Sequence, residues 1–336
     1  MKNTAVGIVG FRGYSGAELQ RLLDRHPSVE PWLIEHRADA SERPQPRNAP
    51  RTARTAYGID QIREAGIQLI FLATPAEVSM DLVPSLLDAG IRVVDLSGAF
   101  RLRAVENYSR WYGEAHTEPE LLNSAIYGLP EFYRSQIRGA RFVANPGCYP
   151  TAANLALRPL IQAGAIDLEK GIVCDAKSGV SGAGRKPSLK TSFCEVTENF
   201  SVYSMLNHRH VPEVLMHSGI AEGDFSFCAQ LIPIDRGIVE TIYFRAPGAR
   251  DALELLHIYE SAYGKEPFVR LYDPGVVPDV RSVARTNYCD IGIKLDASSG
   301  RAVIVAAIDN LVKGAAGQAI QNMNLMLGFN ETDGLL

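Results

Sequence analysis

Residues 10–16 read Gly-Phe-Arg-Gly-Tyr-Ser-Gly. They stand between an apolar run, Ala5–Gly10, and a helical pattern, Glu18–Arg25, that places Leu19, Leu22 and Leu23 on one face. Three glycines at this spacing let the backbone turn tightly and come close to a ligand. The helix that follows presents unpaired N–H groups and positive potential to an anion. A strand–glycine turn–helix unit commits the chain to a parallel α/β beginning. Gly10, Gly13 and Gly16 are the candidate contacts to a dinucleotide pyrophosphate.

The first half continues the alternation. Val29–Glu35, Leu69–Ala73, Ile91–Leu96 and Phe142–Ala144 read as strands, with a helix running from after Pro75 to about Ala89. Strands alternating with helices predict right-handed crossovers and a doubly wound parallel sheet. After Cys148 the pattern changes. A helix over Thr151–Ala163 is followed by strands at Ile172–Ala176, Phe225–Ile232, Ile238–Phe244, Arg281–Leu295 and Ala302–Ile308, with fewer helices between them. This predicts a second α+β domain with a mixed, antiparallel-rich sheet. A last helix is expected at about Gly314–Leu327. The connector Asp39–Gly58 holds Pro44, Pro46 and Pro50 among Arg43, Arg47, Arg51 and Arg54, and reads as a basic loop.

The 336 residues, 46% hydrophobic and 21% charged, suit two domains of about 150 residues each. A net charge of −4 argues against a general nucleic-acid binder. No apolar run is long enough to span a membrane, and the glycine loop arrives before an export signal could finish. Five cysteines without paired spacing argue against a disulfide scaffold or a zinc site and fit a reducing cytoplasm.

About 20 residues beyond the glycine loop, an NAD site places a carboxylate on the ribose and an NADP site places a cation. Glu35-His36-Arg37 stands there. Arg37, with the basic connector behind it, favours a 2′-phosphate, and Glu35 is the competing candidate that would favour NAD.

Asn145-Pro146-Gly147-Cys148-Tyr149-Pro150-Thr151 follows a strand and opens a helix, with Pro150 suited to the first turn. A cysteine at a helix N-terminus is favoured as thiolate, and nearby N–H groups can hold an oxyanion. Cys174 and Cys228 lie inside apolar strands and read as packing residues. A thiol paired with a nicotinamide points to interconversion of an aldehyde with an activated acid, because a thioester accepts hydride readily. The acid–base partner is sought in Asn207-His208-Arg209-His210-Val211-Pro212-Glu213. Pro212 marks a helix start there, and His210 is preferred over His208. Ser178–Lys186, a small-residue run with Arg185, and Asp95–Arg101, at a strand end, are candidate ligand-binding loops.

The runs Gly10–Gly16, Asp95–Leu102, Tyr127–Glu131, Asn145–Thr151, Ser178–Arg185, His208–Glu213 and Asp309–Gln318 together resemble the N-acetyl-gamma-glutamyl-phosphate reductase family over almost the whole chain. The resemblance implies reduction of N-acetyl-glutamyl 5-phosphate by NADPH to the 5-semialdehyde, with release of phosphate, through a thioester on Cys148. It implies an acid–base role for His208 or His210. It places cofactor contacts at Gly13, Ser15, Gly16 and Gly179, and Gly10, Tyr14, Arg37, Ser178 and Asn310 complete the candidate cofactor set. Arg101, Asn145, Arg185, Arg209 and Glu213 are the candidate substrate contacts. No metal is implied. The implied domains are 1–147 with 310–336 for NADP and 148–309 for catalysis, in a cytoplasmic homotetramer or homodimer. Two positions depart from the family pattern: Glu77 stands where a His-Gly pair is common, and Gly98-Ala99 where Ala-Asp is common. Three other readings follow from the same residues. They are a carrier-linked 2-aminoadipyl-phosphate reductase, an aspartate-semialdehyde dehydrogenase, and a catalytically silent NADP-binding regulator.

Overall fold

The computed structural model describes residues 3–36 and 52–336, which form two units. The first comprises Met1–Ser109, Glu114–Asn145 and Ala315–Leu336. Among the described residues its sheet has seven strands: β1 (Thr4–Val9), β2 (Val29–Glu35), β3 (Ala53–Ala56), β4 (Leu69–Leu72), β5 (Arg92–Asp95), β6 (Ile126–Tyr127) and β7 (Phe142–Ala144). Their order is β3-β2-β1-β4-β5-β7-β6, and every pair is parallel. The central Leu-Ile-Phe-Leu of β4 is buried at every position, as expected for a strand covered on both faces. From β1 the chain winds outward to β2 and β3, then returns and winds the other way through β4 and β5. Crossovers of one hand then put helices on opposite faces, which is the expected doubly wound sheet. The direction changes between β1 and β4, so the loops leaving these two strands flank the switch point where such sheets bind ligands.

The helix Tyr14–Leu23 buries Gly16, Glu18, Leu19, Leu22 and Leu23. The helix Gly317–Leu327 is buried along nearly its whole length and packs on both Tyr14–Leu23 and Pro130–Arg138. The final helix was expected to begin at Gly314. Instead Val312–Ala316 form a π-helical turn before the regular helix begins at Gly317.

The second unit comprises Arg110–Gly113 and Pro146–Gly314. Its strands are β8 (Ile172–Gly179), β9 (Ser201–Tyr203), β10 (Phe225–Ile232), β11 (Ile238–Arg245), β12 (Val269–Leu271), β13 (Cys289–Asp296) and β14 (Arg301–Ile308). They run in the order β12-β13-β14-β11-β8-β10-β9. All pairs are antiparallel except β8–β10 and β12–β13, so the expected mixed sheet is present. The helix Cys148–Gln162 packs on β11, β13 and β14.

Two expectations need correction. The connector Asp39–Gly58 is not loop throughout, because Ala53–Ala56 joins the sheet as β3, pairing Trp32 with Ala53 through Glu35 with Ala56. Four residues with little apolar content carry no strand signal of their own, and the free edge of β2 supplies the pairing. The remainder of that connector up to Arg51, and Arg37 before it, lie outside the described residues. The strand expected at Arg281–Leu295 begins only at Cys289. Before it, Asp279 accepts the N–H of Ser282 at 3.0 Å and caps the short helix Val280–Val283, and Arg285 turns the chain at φ +65°. A local cap prevails there over the apolar run.

Candidate active site

Two cavities matter, one in each unit. In the first unit a cavity of about 230 Å³ is lined by Gly10, Phe11, Arg12, Gly13, His36 and Thr74, among others. It lies where the loops from β1 and β4 meet. Gly10 has φ +82°, and a Cβ there would lie 2.3 Å from the carbonyl oxygen of Ala73. A Cβ on Gly16 would lie 2.4 Å from the oxygen of Gly10. Gly13 occupies the N-cap of the helix, and the N–H of Ala17 bonds its oxygen at 2.9 Å. The N–H groups of Tyr14, Ser15 and Gly16, in the first turn, have no intrahelical acceptor. Such a cradle of bare backbone donors suits a pyrophosphate and leaves no room for side chains.

Elsewhere in this unit, Asp95 is fully buried and accepts from Ser79 Oγ at 2.7 Å and from Ser97 Oγ at 2.7 Å. Burial raises the affinity of its carboxyl for a proton, and the serine hydrogen bonds oppose this. Arg101 is buried, with Nε donating to the Asn145 carbonyl at 2.8 Å and a terminal nitrogen to the Leu96 carbonyl at 2.9 Å. Asn145 is also buried; its amide donates to Ala315 O at 3.2 Å, and its oxygen accepts from Asn322 at 3.0 Å. In these contacts both residues hold backbone and helix in place.

In the second unit a cavity of about 720 Å³ is lined by Cys148, Tyr203, Asn207, His208, Arg209 and His210, among others. Cys148 is the first residue of its helix, with Gly147 as N-cap, and is half-buried. The turn before it is braced twice. Thr151 Oγ1 donates to Gly147 O at 2.9 Å, and the N–H of Gly147 donates to Glu213 Oε2 at 2.9 Å. Glu213 is fully buried, so its carboxylate orients the nucleophile loop. His210 caps the helix Val211–Ser218, and the backbone N–H of His210 donates to Nδ1 of His208 at 3.1 Å. That contact leaves the ring hydrogen of neutral His208 on Nε2. Burial and the adjacent Arg209 push its pKa down to about 4. Tyr149 sets its ring edge-on to His208 at 5.5 Å, and its hydroxyl lies 3.2 Å from that of Tyr203.

Of the other residues expected in this unit, Ser178 also lines the cavity. Ser178 is buried with Oγ donating to Gly179 O at 3.0 Å. A Cβ on Gly179 would lie 2.8 Å from the Arg236 backbone, so packing within the unit already requires glycine. Asn310 is buried, accepting from Gly237 N at 2.7 Å and donating to Ser181 Oγ at 3.0 Å. Arg185 and Arg209 are exposed, and of these two Arg209 lines the cavity.

A model of the semialdehyde dehydrogenase NAD-binding domain matches residues 5–140, and one of the semialdehyde dehydrogenase dimerisation domain matches 148–310. An N-acetyl-gamma-glutamyl-phosphate reductase from Symbiobacterium thermophilum is 45% identical, covering 98% of this chain and 97% of its own length. The enzyme of the same name from Desulforudis audaxviator is 46% identical over the same shares. The chain belongs to the N-acetyl-gamma-glutamyl-phosphate reductase family. Its fold is also that of aspartate semialdehyde dehydrogenase II from Vibrio cholerae, solved with ASA (TM-score 0.72, 17% identity, 98% of this chain and 99% of that one). An aspartate semialdehyde dehydrogenase from Candida albicans, solved with NADP, has a TM-score of 0.67 at 16% identity, covering 96% of this chain and 98% of that one.

Two residues of the second unit that lie close to Cys148 escaped sequence reasoning. Tyr203 sits in a stretch with no periodicity to mark it. Gly314, in the π-helical turn, faces Cys148, and a Cβ there would lie 2.8 Å from Cys148 Cβ and 3.2 Å from its Cα. Gly314→Ala is therefore expected to displace the nucleophile. A shift of about 1 Å costs about 10²-fold in rate. We expect kcat to fall about 10- to 100-fold with the fold retained, and alkylation of Cys148 by iodoacetamide, followed by peptide mass spectrometry, to slow in parallel. Unchanged kcat and alkylation would mean that the turn absorbs the methyl.

Proposed function

We propose that the chain catalyses the reduction of N-acetyl-glutamyl 5-phosphate to N-acetyl-glutamate 5-semialdehyde and phosphate, with NADPH as hydride donor. The first unit takes the cofactor at its glycine cradle, and the second takes the acyl group. One observation carries the chemistry: Cys148, at the first turn of a helix, lines a cavity together with both His208 and His210. Family membership supports the choice of substrate.

His210 accepts the thiol proton, and the Cys148 sulfur attacks the acyl carbon as the phosphate oxygen leaves. Helix N–H groups beside Cys148 stabilise the oxyanion. When bound, NADPH supplies the hydride that reduces the thioester carbon. His210 then protonates the alkoxide and takes the proton back as the carbon–sulfur bond breaks, releasing aldehyde and restoring the thiolate. His208, neutral and carrying its hydrogen on Nε2, serves as a donor to the bound oxygen or phosphate. Arg209 adds positive charge at the cavity wall. A homodimer or homotetramer in the cytoplasm is the expected working form. The matched dimerisation domain supports association, and no described helix is long and apolar enough to cross a membrane.

The test compares NADPH oxidation with N-acetyl-glutamyl phosphate and with aspartyl phosphate. Rapid phosphate-coupled oxidation with the first and little with the second is the expected result. Equal turnover of both, or preference for the shorter substrate, would overturn the assignment.

A further inference from the structure

Glu35, at the end of β2, is the residue that would hold a ribose hydroxyl in an NAD site, and its surroundings oppose that role. Its Oε1 lies 3.3 Å from Arg12 and 3.5 Å from Arg54. Both guanidinium groups also stand over the Phe11 ring, at 4.5 and 5.5 Å from its centroid. Arg12 comes from inside the glycine loop and Arg54 from β3, so residues far apart in sequence meet at one corner of the sheet. Arg12, Phe11 and His36 line the same cavity as Gly10 and Gly13.

We infer that Arg12 and Arg54 form the 2′-phosphate subsite of this chain, with Glu35 as the carboxylate that holds them in place until the phosphate arrives. The inference rests on the reading of the first cavity as a dinucleotide site. Two guanidinium groups thus meet at a single carboxylate oxygen. Both ion pairs are long and part-exposed, the kind that water weakens and a better anion displaces. A phosphate monoester brings up to two charges and three acceptor oxygens, and a guanidinium can grip it through paired N–H groups. The Phe11 face steadies both guanidinium groups beside the glycine loop, which lowers the ordering cost of binding. Sequence position alone pointed to Arg37. The structure adds a pair that only strand pairing brings together.

The test titrates 2′,5′-ADP and 5′-ADP against the full chain by calorimetry, for the wild type and for Arg12→Ala, Arg54→Ala, Arg12→Lys and Glu35→Gln. The wild type is expected to prefer 2′,5′-ADP by tenfold or more. Each alanine variant is expected to lose about tenfold of that preference while binding 5′-ADP as before, which also reports that the fold is intact. Arg12→Lys should recover part of the loss, and Glu35→Gln should tighten 2′,5′-ADP alone. Equal weakening of both probes, or an unchanged preference in both alanine variants, would overturn the subsite. Failure of the wild type to bind either probe would instead remove the dinucleotide reading, and this inference with it.

Discussion

Cys148→Ser is expected to abolish turnover while NADPH still binds. The helix N-terminus that favours a thiolate at Cys148 has far less to offer a hydroxyl, whose proton is held much more tightly. Even a serine that acylated would form an ester, which is better stabilised by resonance than a thioester and resists hydride. Both halves of the reaction therefore fail together. The side chains differ by one atom, so the brace from Glu213 to Gly147 and the packing against Gly314 should persist. Stopped-flow absorbance should show no NADPH oxidation, and fluorescence titration should give near wild-type NADPH affinity. Mass spectrometry of the wild type mixed with acyl phosphate alone should show an acyl adduct on Cys148 that the variant lacks. Phosphate release and NADPH oxidation by the variant at wild-type rates would sink the covalent route.

His210→Asn is expected to lower kcat by about 10²–10⁴, the usual worth of general acid–base help, with KM changing much less. His208→Asn should cost less. The tautomer of His208 separates the two rings. His208 Nδ1 already accepts the N–H of His210. Its Nε2 therefore carries hydrogen and cannot also receive the thiol proton without turning Nδ1–H against another N–H. Its pKa, pushed down to about 4 by burial and by Arg209, makes the charged form unfavourable as well. The pH–rate profile should lose a limb in the His210 variant and keep it in the other. The same shift has a sign for stability. Unfolded His208 takes up its proton near 6.5, whereas the folded protein refuses it until about 4. Stability should accordingly fall as pH drops from 6.5 toward 4, and denaturant unfolding should show that slope reduced in His208→Asn. A larger rate loss at His208 than at His210 would reverse the assignment.

Much of the frame was legible because its causes are local. Three glycines after an apolar run turn the chain between β1 and its helix whatever the rest does. β2, β7 and β10 fall where their apolar runs fall, since strand length and side-chain alternation are set within a few residues. Pro146-Gly147 before Cys148 and Pro150 after it place the thiol at a helix start with no help from distant chain. Pro212 does the same for His210. Only tertiary structure decided what those elements meet. Glu213 reaches back 66 positions to the N–H of Gly147, and nothing in either stretch announces the partner. Ala53–Ala56 becomes a strand because β2 has an open edge. Arg12 and Arg54 converge on Glu35 because β3 pairs there. Gly314 must lack a side chain because the π-helical turn sets it against Cys148. Turn conformation, caps and hydrophobic period act over a few residues and leave a mark in the sequence. Hydrogen bonds, close packing and ion pairs act over a few ångströms of space, and folding brings those groups together from any distance along the chain.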